Sequence, residues 1–166
     1  MALQDEIIDL VVTSPPYDNL RNYKGYSFEF EKIAAELYRV IKQGGVMVWV
    51  VNDSTQDGSE TGTSFRQALH FIDCGFNLHD TMIYEKVNPL PTGKSRYYQA
   101  FEYMFVLSKR KPKTCNYLLM PCKTAGKIKN RNGQGSFSLN SADRPRNEIT
   151  VTRDSQIRHN VWDYMV

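Results

Sequence analysis

The sequence predicts an α/β fold built on a mixed sheet, with a parallel portion followed by antiparallel strands. Strand and helix patterns alternate over the first 75 residues, which is typical of strand–helix–strand units in a parallel sheet. Two more strand patterns follow with no helix pattern between them, so we expect these two to be antiparallel. The 166 residues, 41% apolar and 23% charged, suffice for one domain with a single core.

The first strand and the first helix have clear expected boundaries. A β-branched apolar run, Ile7–Val12, stops at Ser14–Pro16, where two prolines cannot continue a strand ladder. Apolar residues recur at helical spacing over Phe28–Gln43, with Ser27 as the expected N-cap and Gly44-Gly45 as the expected C-terminal stop. The patterns therefore predict a buried strand, a polar loop and an amphipathic helix.

The next elements complete the predicted sheet. The continuous apolar run Val46–Val51 predicts a second buried strand, and a Ser/Thr/Gly-rich loop follows it. A second helix is expected to be capped by Thr63 or Ser64 and to stop at Gly75. Leu78–Val87 and Ala100–Ser108 are the two remaining strand patterns.

Charge divides the chain into two parts. Residues 1–102 carry 9 Lys/Arg against 14 Asp/Glu, a net charge of −5, whereas residues 103–166 carry 12 against 4, a net charge of +8. Periodicity fades beyond residue 108, so we expect one domain over 1–108 and an irregular basic segment over 109–166. Such asymmetry favours a polyanionic partner, and a merely solvated basic surface is an equally good interpretation of charge alone.

Nine basic residues are candidates for contacts with nucleic-acid phosphates. Two of them, Lys94 and Arg96, precede Tyr97-Tyr98, whose rings could stack and clamp a nucleic-acid backbone or could equally lie in the core or on the surface. The nine are Lys94, Arg96, Lys109, Arg110, Lys111, Lys113, Lys127, Lys129 and Arg131.

Several classes of protein are disfavoured. No apolar run approaches the roughly 20 residues that span a bilayer, and we expect no membrane partner. The cysteines form no Cys-x-x-Cys pair and the histidines have no metal-ligand spacing, so we expect no disulfide framework and no metal site. A reducing, cytoplasmic setting fits this pattern. These residues are Cys74, Cys115, Cys122, His70, His79 and His159.

The residues best suited to chemistry follow the first strand. In open α/β sheets, ligands bind beyond the carboxyl ends of the strands, where Thr13–Tyr17 is expected. Two prolines make a rigid turn whose carbonyl groups can accept hydrogen bonds, beside the hydroxyl of Ser14 and the ring of Tyr17. Rigid acceptors next to an aromatic ring suit an exocyclic amino group on a planar base. A turn that only ends the strand and packs its tyrosine is the structural alternative.

Five segments, in this order, resemble the amino-group DNA methyltransferases in which the catalytic motif precedes the cofactor-binding half. Asp9–Tyr17 is similar to the catalytic motif of that family. The later segments are similar to the elements that follow it, except that Phe101 stands where the family commonly has histidine. These later segments are Lys42–Val46, Asn88–Pro91, Phe101–Lys109 and Asn160–Trp162.

The resemblance implies a fold, a reaction and a set of site residues. It implies a partial Rossmann-like methyltransferase sheet that acts on double-stranded DNA and uses S-adenosyl-L-methionine to methylate cytosine N4 or adenine N6 of a flipped base. Ser14, Pro15, Pro16 and Tyr17 would form the catalytic turn, with Ser14 and the carbonyl of Pro15 accepting from the amino group and Tyr17 stacking on the ring. Serine at the first position, rather than aspartate, favours cytosine N4.

One family feature does not occur in this sequence. The cofactor-binding turn of the family resembles Asp-Pro-Phe-x-Gly-x-Gly, and the nearest spacing, Gly133–Gly135, has no strand before it and no helix after it. Asp53 is the remaining candidate for a cofactor contact, although a loop-capping role fits it equally well. We therefore expect this chain to be the catalytic half, completed by a second polypeptide or domain that binds the cofactor.

Two other functions stay open on sequence grounds. A non-catalytic DNA-binding remnant or subunit would keep the base pocket and the basic flank without binding cofactor. Methyltransferases that modify side-chain amides use a similar turn, but they usually carry asparagine at the position of Ser14, and the basic flank would then be unexplained.

Overall fold

The protein was analysed as a computed structural model, which describes residues 3–16, 28–89, 91, 96–130, 149–151 and 153–164. The chain divides into two compact units, Met1–Cys115 together with Asn160–Val166, and Asn116–His159. Within the described ranges no helix is long and apolar enough to cross a membrane.

The elements follow one another along the described chain as short helices and strands. In chain order they are β1 (Ile8–Thr13), α1 (Phe30–Val40), β2 (Ile41–Val51), β3 (Thr55–Gln56), β4 (Ser59–Glu60), α2 (Thr63–Asp73), β5 (Asn77–Lys86), β6 (Phe101–Ser108), β7 (Leu119–Pro121), β8 (Ile128–Asn130), β9 (Ile149–Val151), β10 (Ser155–Ile157) and β11 (Val161–Tyr164).

The first unit is built on a five-stranded mixed sheet, as the sequence predicts. Its order is β1-β2-β6-β5-β11, and β6 alone runs against the other four strands. The segments that follow β1, β2 and β5 therefore leave the sheet at the same end, where the chain also enters β6. We call this the carboxyl end of the sheet. It is the end at which ligands bind in open α/β folds.

The core of this unit lies between one face of the sheet and the two helices. Alternate residues of β2 are buried on that face, because successive side chains of a strand point to opposite sides. Trp49 is the largest of them; its ring packs against Phe71 of α2, with ring centroids 5.0 Å apart, and its Nε1 donates to Oε1 of Gln67 at 2.9 Å. A buried indole N–H is thus satisfied within the core.

The boundary between α1 and β2 differs from the sequence prediction. The helix ends at Val40 rather than Gln43, and Gly44-Gly45 lies inside β2 rather than at the helix stop. Ile41 is completely buried and pairs with Ile8 of β1, so its tertiary packing overrides the helical period. The register then shifts between Ile8 and Leu10, and Leu10 pairs with Val46. The expected N-cap, Ser27, lies outside the described residues.

The end of α2 confirms the sequence prediction. Gly75 has a φ of +107°, and the backbone N–H of Phe76 donates to the carbonyl of Phe71 at 3.1 Å, which closes the last turn. The N–H of Gly75 donates to the carbonyl of Ile72, and the N–H of Cys74 donates to the carbonyl of His70, both at 2.9 Å.

The basic C-terminal segment holds more strand than its irregular pattern predicts. In the second unit β7 pairs with β10 and β8 with β9, all antiparallel. In the first unit β11 joins the main sheet parallel to β5, with Val161 opposite Ile83. Strands of three or four residues are too short to show an apolar period, which is why the sequence does not reveal them.

Candidate active site

The predicted catalytic turn lies at the carboxyl end of the sheet. The last paired residue of β1, Thr13, stands opposite Trp49 of β2, and the chain then leaves the sheet through Ser14–Pro16. Pro15 is buried, Pro16 half-buried and Ser14 exposed. A buried proline with a fixed φ anchors the turn, while the serine hydroxyl stays within reach of a ligand. Tyr17 lies outside the described residues.

The carboxylate that follows β2 caps the second helix. Asp53 Oδ1 accepts from the backbone N–H of Ser64 at 2.9 Å, and Asp53 Oδ2 accepts from the Ser64 hydroxyl at 2.6 Å. The hydroxyl of Thr61 lies 3.3 Å from Oδ1. The N-cap position of α2 is Gly62, so the prediction of Thr63 or Ser64 at this position is wrong. Gly62 has no side chain to accept from the first turn, and Asp53 supplies the acceptor instead. These contacts are those of a helix cap, so both carboxylate oxygens are already engaged within the fold.

An amide pair at the same end of the sheet has no counterpart in the sequence analysis. Gln99 Nε2 donates to Oδ1 of Asn52 at 3.0 Å, and the same oxygen accepts from the backbone N–H of Asp53 at 2.9 Å. The pair joins the segment after β2 to the segment before β6. Asn52 could have been suspected, because it is polar and directly follows a buried strand. Gln99 could not, since its partner is 47 residues away.

Arg96 is held by the β3–β4 hairpin. Its Nη2 donates to the carbonyl of Gly58, and its Nη1 lies 3.9 Å from Oε1 of Glu60. The guanidinium that the sequence assigns to phosphates is thus paired with an acidic residue, which reduces the positive charge that it offers to DNA.

Charged and aromatic residues at the start of β6 have partners within the sheet. Glu102 forms an ion pair of 2.7 Å with Lys86, so this carboxylate, placed in an apolar strand, has a structural partner. Tyr103 stacks on Phe105 with ring centroids 5.4 Å apart. Burial raises the pKa of Tyr103, and the carboxylate of Asp53 adds to that effect.

Lys109 occupies a different place from the other predicted phosphate contacts. Its side chain is buried, with the residue 5% exposed, and its ammonium donates to the carbonyl of Tyr38 at 2.8 Å. The ammonium also lies 3.1 Å from Glu6 Oε1 and 4.5 Å from the centre of the Tyr38 ring. Apolar packing of the lysine stem and three partners for its head explain the burial. Lys109 therefore supports the fold and is not available to a phosphate.

Four of the remaining predicted DNA contacts have described side chains, and three do not. Arg110, Lys111, Lys113 and Lys127 are exposed, the first three in the first unit and Lys127 in the second. The backbone of Lys129 forms part of β8. The side chain of Lys129, together with Lys94 and Arg131, lies outside the described residues.

The sequence matches a family model and a curated relative. The family model described as "DNA methylase", for the N6/N4 group, matches residues 8–165. The orphan methyltransferase M.BamHII of Bacillus amyloliquefaciens is 54% identical over 159 residues, which are 95% of this chain and 60% of that protein. The chain thus spans less than two thirds of the length of this relative.

Solved structures share the fold. The PvuII DNA methyltransferase, described as cytosine-N4-specific, superposes with a TM-score of 0.56 at 25% identity, over 68% of this chain and 46% of that one. A DNA modification methylase of Thermus thermophilus, TTHA0409, described as putative and solved in complex with S-adenosyl-L-methionine, superposes with a TM-score of 0.51 at 24% identity, over 74% and 54%. Together with the family match over residues 8–165, this fold shows that the chain belongs to the N6/N4 amino-group DNA methylases.

Proposed function

We propose that this chain holds the target base in an S-adenosyl-L-methionine-dependent DNA amino-methyltransferase. The position of Ser14–Pro16 carries the proposal: a rigid Pro-Pro turn with an exposed hydroxyl at the carboxyl end of the sheet. Membership of the DNA methylase family supports an exocyclic amino group of DNA as the acceptor of the methyl group.

The chemistry asked of these residues is positioning. The Ser14 hydroxyl and the Pro15 carbonyl accept hydrogen bonds from the two N–H groups of the amino group. These contacts direct the nitrogen lone pair out of the plane of the base. Tyr17, next in the sequence, stacks on the ring. The cofactor supplies an activated methyl group. The nitrogen held in line would bond to the methyl carbon as the bond from that carbon to the cofactor's sulfur breaks, and it would then release one proton to solvent, so no general base is needed before the attack. Fixed geometry removes much of the barrier.

We propose cytosine N4 as the target in preference to adenine N6. Serine at the first position of the motif supports this choice, as does the fold shared with a methyltransferase described as cytosine-N4-specific. Inside a duplex the amino group is paired and stacked, so the base is flipped out to reach Ser14.

Holding the cofactor is assigned to a second polypeptide or domain. The described residues fit the base side of the site better than the cofactor side, because both oxygens of Asp53 are engaged by Ser64 and Thr61. On β1, which pairs only with β2 among the described strands, Leu10 and Val12 are 59% and 66% exposed. Exposed apolar side chains on an edge strand suit a protein partner. Membership of the amino-group DNA methylases supports S-adenosyl-L-methionine as the cofactor.

Exposed basic residues supply the contacts to the DNA backbone. Arg110, Lys111 and Lys113 are exposed in the first unit, and Lys127 is exposed in the second. Phosphate contacts of this kind position a protein on DNA without reading its sequence, and they weaken as salt rises.

The identity of the methylated base tests the proposal. The chain is mixed with a polypeptide carrying the rest of the Bacillus amyloliquefaciens relative, with DNA and with cofactor labelled on its methyl group; the DNA is then digested to nucleosides. Label in N4-methylcytosine is expected. Label in N6-methyladenine would overturn the choice of base. DNA binding without any incorporation would favour the non-catalytic DNA-binding alternative.

A further inference from the structure

Two tyrosine rings stand exposed at the carboxyl end of the sheet. Tyr97 is fully exposed, and Tyr98 is 54% exposed. They lie on the segment that leads into β6, close in sequence to Tyr103, which pairs with the last residue of β2, Val51. The catalytic turn Ser14–Pro16 leaves β1 at this same end. Exposed aromatic rings at the same end of the sheet as the proposed binding turn are candidates for contact with the ligand.

Both sides of the tyrosine pair are anchored. Before it, Arg96 donates to the carbonyl of Gly58 and lies near Glu60. After it, Gln99 donates to Asn52 at 3.0 Å. Both anchors reach the segment that follows β2, so the rings project from a backbone that is fixed at two points. Less conformational entropy is lost when a preorganised segment binds.

We infer that Tyr97 and Tyr98 form a base-stacking surface for DNA, with Tyr97 packing against a base adjacent to the flipped one. The inference rests on the proposed function. Flipping a base leaves its neighbours unstacked on one side, and an aromatic ring placed there restores the stacking. Stacking of a base on an aromatic side chain contributes about 1–3 kcal/mol.

The chemistry of the surroundings favours nucleic acid over a protein partner. Tyr97 and Tyr98 follow Arg96, and Lys94 stands two residues earlier in the sequence. Arg110, Lys111 and Lys113 are exposed in the same unit as the two tyrosines. Exposed cations and exposed amphipathic rings on one unit match the phosphates and the base faces of a DNA strand.

The test uses the full chain and a duplex of about 30 base pairs with one abasic site flanked by 5-bromouracil, a base that cross-links to stacked tyrosine on irradiation. Cross-links are expected at Tyr97 or Tyr98. Tyr97→Ala is expected to weaken binding to this duplex about tenfold, because the stacking energy is lost. Tyr97→Phe keeps the ring and should bind like the original protein. Tyr117→Ala removes an exposed tyrosine of the second unit and is the matched control.

Several results would overturn the inference. Cross-links confined to other residues, or full affinity in Tyr97→Ala with an unchanged unfolding temperature, would show that the rings do not stack on DNA. Light scattering in which Tyr97→Ala alone dissociates a dimer would assign the surface to a second copy of this chain. If Lys111→Glu weakens binding while Tyr97→Ala does not, the inference fails and the proposed function stands. No DNA binding by the unmodified chain would overturn both.

Discussion

At the scale of single residues, the polar side chains that follow β1 and β2 have different roles. Ser14 is exposed in a proline-fixed turn, a setting that could be predicted because the prolines act locally. Asp53 has its partner Ser64 eleven residues further on, across a hairpin. Its capping role could be named from the sequence only as one of two alternatives, because no local pattern specifies a contact that depends on the fold.

Removing the Asp53 carboxylate should weaken α2 even without cofactor. We expect Asp53→Ala to lower the free energy of unfolding by about 0.5–2 kcal/mol, the usual contribution of a helix cap. Urea unfolding followed by circular dichroism measures this difference. Asp80→Ala, which removes an exposed carboxylate of β5, should change stability less and serves as the control. Unchanged stability in Asp53→Ala would make Asp53 a candidate for a cofactor contact again.

Lys109 and Lys111 should respond oppositely to substitution. Lys109→Ala leaves Glu6 and the carbonyl of Tyr38 without their buried partner, so we expect the protein to lose about 1–3 kcal/mol of stability. Its affinity for DNA, measured at a temperature where the variant is folded, should be retained. Lys111→Ala should keep stability and weaken DNA binding, with a smaller salt dependence. The reverse pattern would place Lys109 on the DNA surface.

Acid should destabilise the protein partly through Glu6. Hydrogen bonds from Gln43 and then from Lys109 lower the pKa of Glu6 in the folded state. A lowered pKa contributes stability above the unfolded-state value of about 4.3, and this stability is lost as pH falls through the folded value. Glu6→Gln should therefore be less stable at neutral pH, with a shallower loss on acidification, as measured by thermal unfolding from about pH 7 to about pH 3. An unchanged pH profile would contradict this role.

At the scale of elements, the identities of the long strands and of both helices were predictable. The boundary between α1 and β2, and the exposure of Leu10 and Val12 on a strand predicted to be buried, were not. Continuous apolar runs and helical spacing identify β1, β2, β5, β6 and both helices. The change from α1 to β2 at Ile41 depends on pairing with Ile8, which lies 33 residues earlier. The helical spacing of apolar residues continues through Ile41, so the sequence does not show that Ile41 is buried in a strand and not in the helix.

The end of α2 depends on a glycine that cannot be replaced. At Gly75, φ is +107° and an added Cβ would lie 2.9 Å from the Tyr38 hydroxyl. Gly62 also has a positive φ, of +65°, but a Cβ there meets nothing within 4 Å. We expect Gly62→Ala to cost about 1–2 kcal/mol through backbone strain alone, and Gly75→Ala to cost more because of the clash. Equal losses in urea unfolding would exclude a tight approach of Tyr38.

At the scale of the whole molecule, the charge is unevenly distributed along the chain. The net charge of +3 combines an acidic part that contains Ser14–Pro16 with a basic part that we propose contacts DNA. The sequence predicts this division, and it predicts the mixed sheet. It does not predict the return of β11 to that sheet, because four residues after an irregular segment carry no period of their own.

Methyl transfer by a chain altered only at Ser14 tests the central claim most directly. The unmodified chain and Ser14→Ala are compared with the complementing polypeptide, labelled cofactor and duplex DNA, with Ser59→Ala, a change at an exposed serine of β4, as the control. We expect Ser14→Ala to reduce incorporation about a hundredfold, by disturbing the placement of the amino group, while DNA affinity and unfolding temperature are retained. Equal incorporation by Ser14→Ala and the unmodified chain would contradict the account.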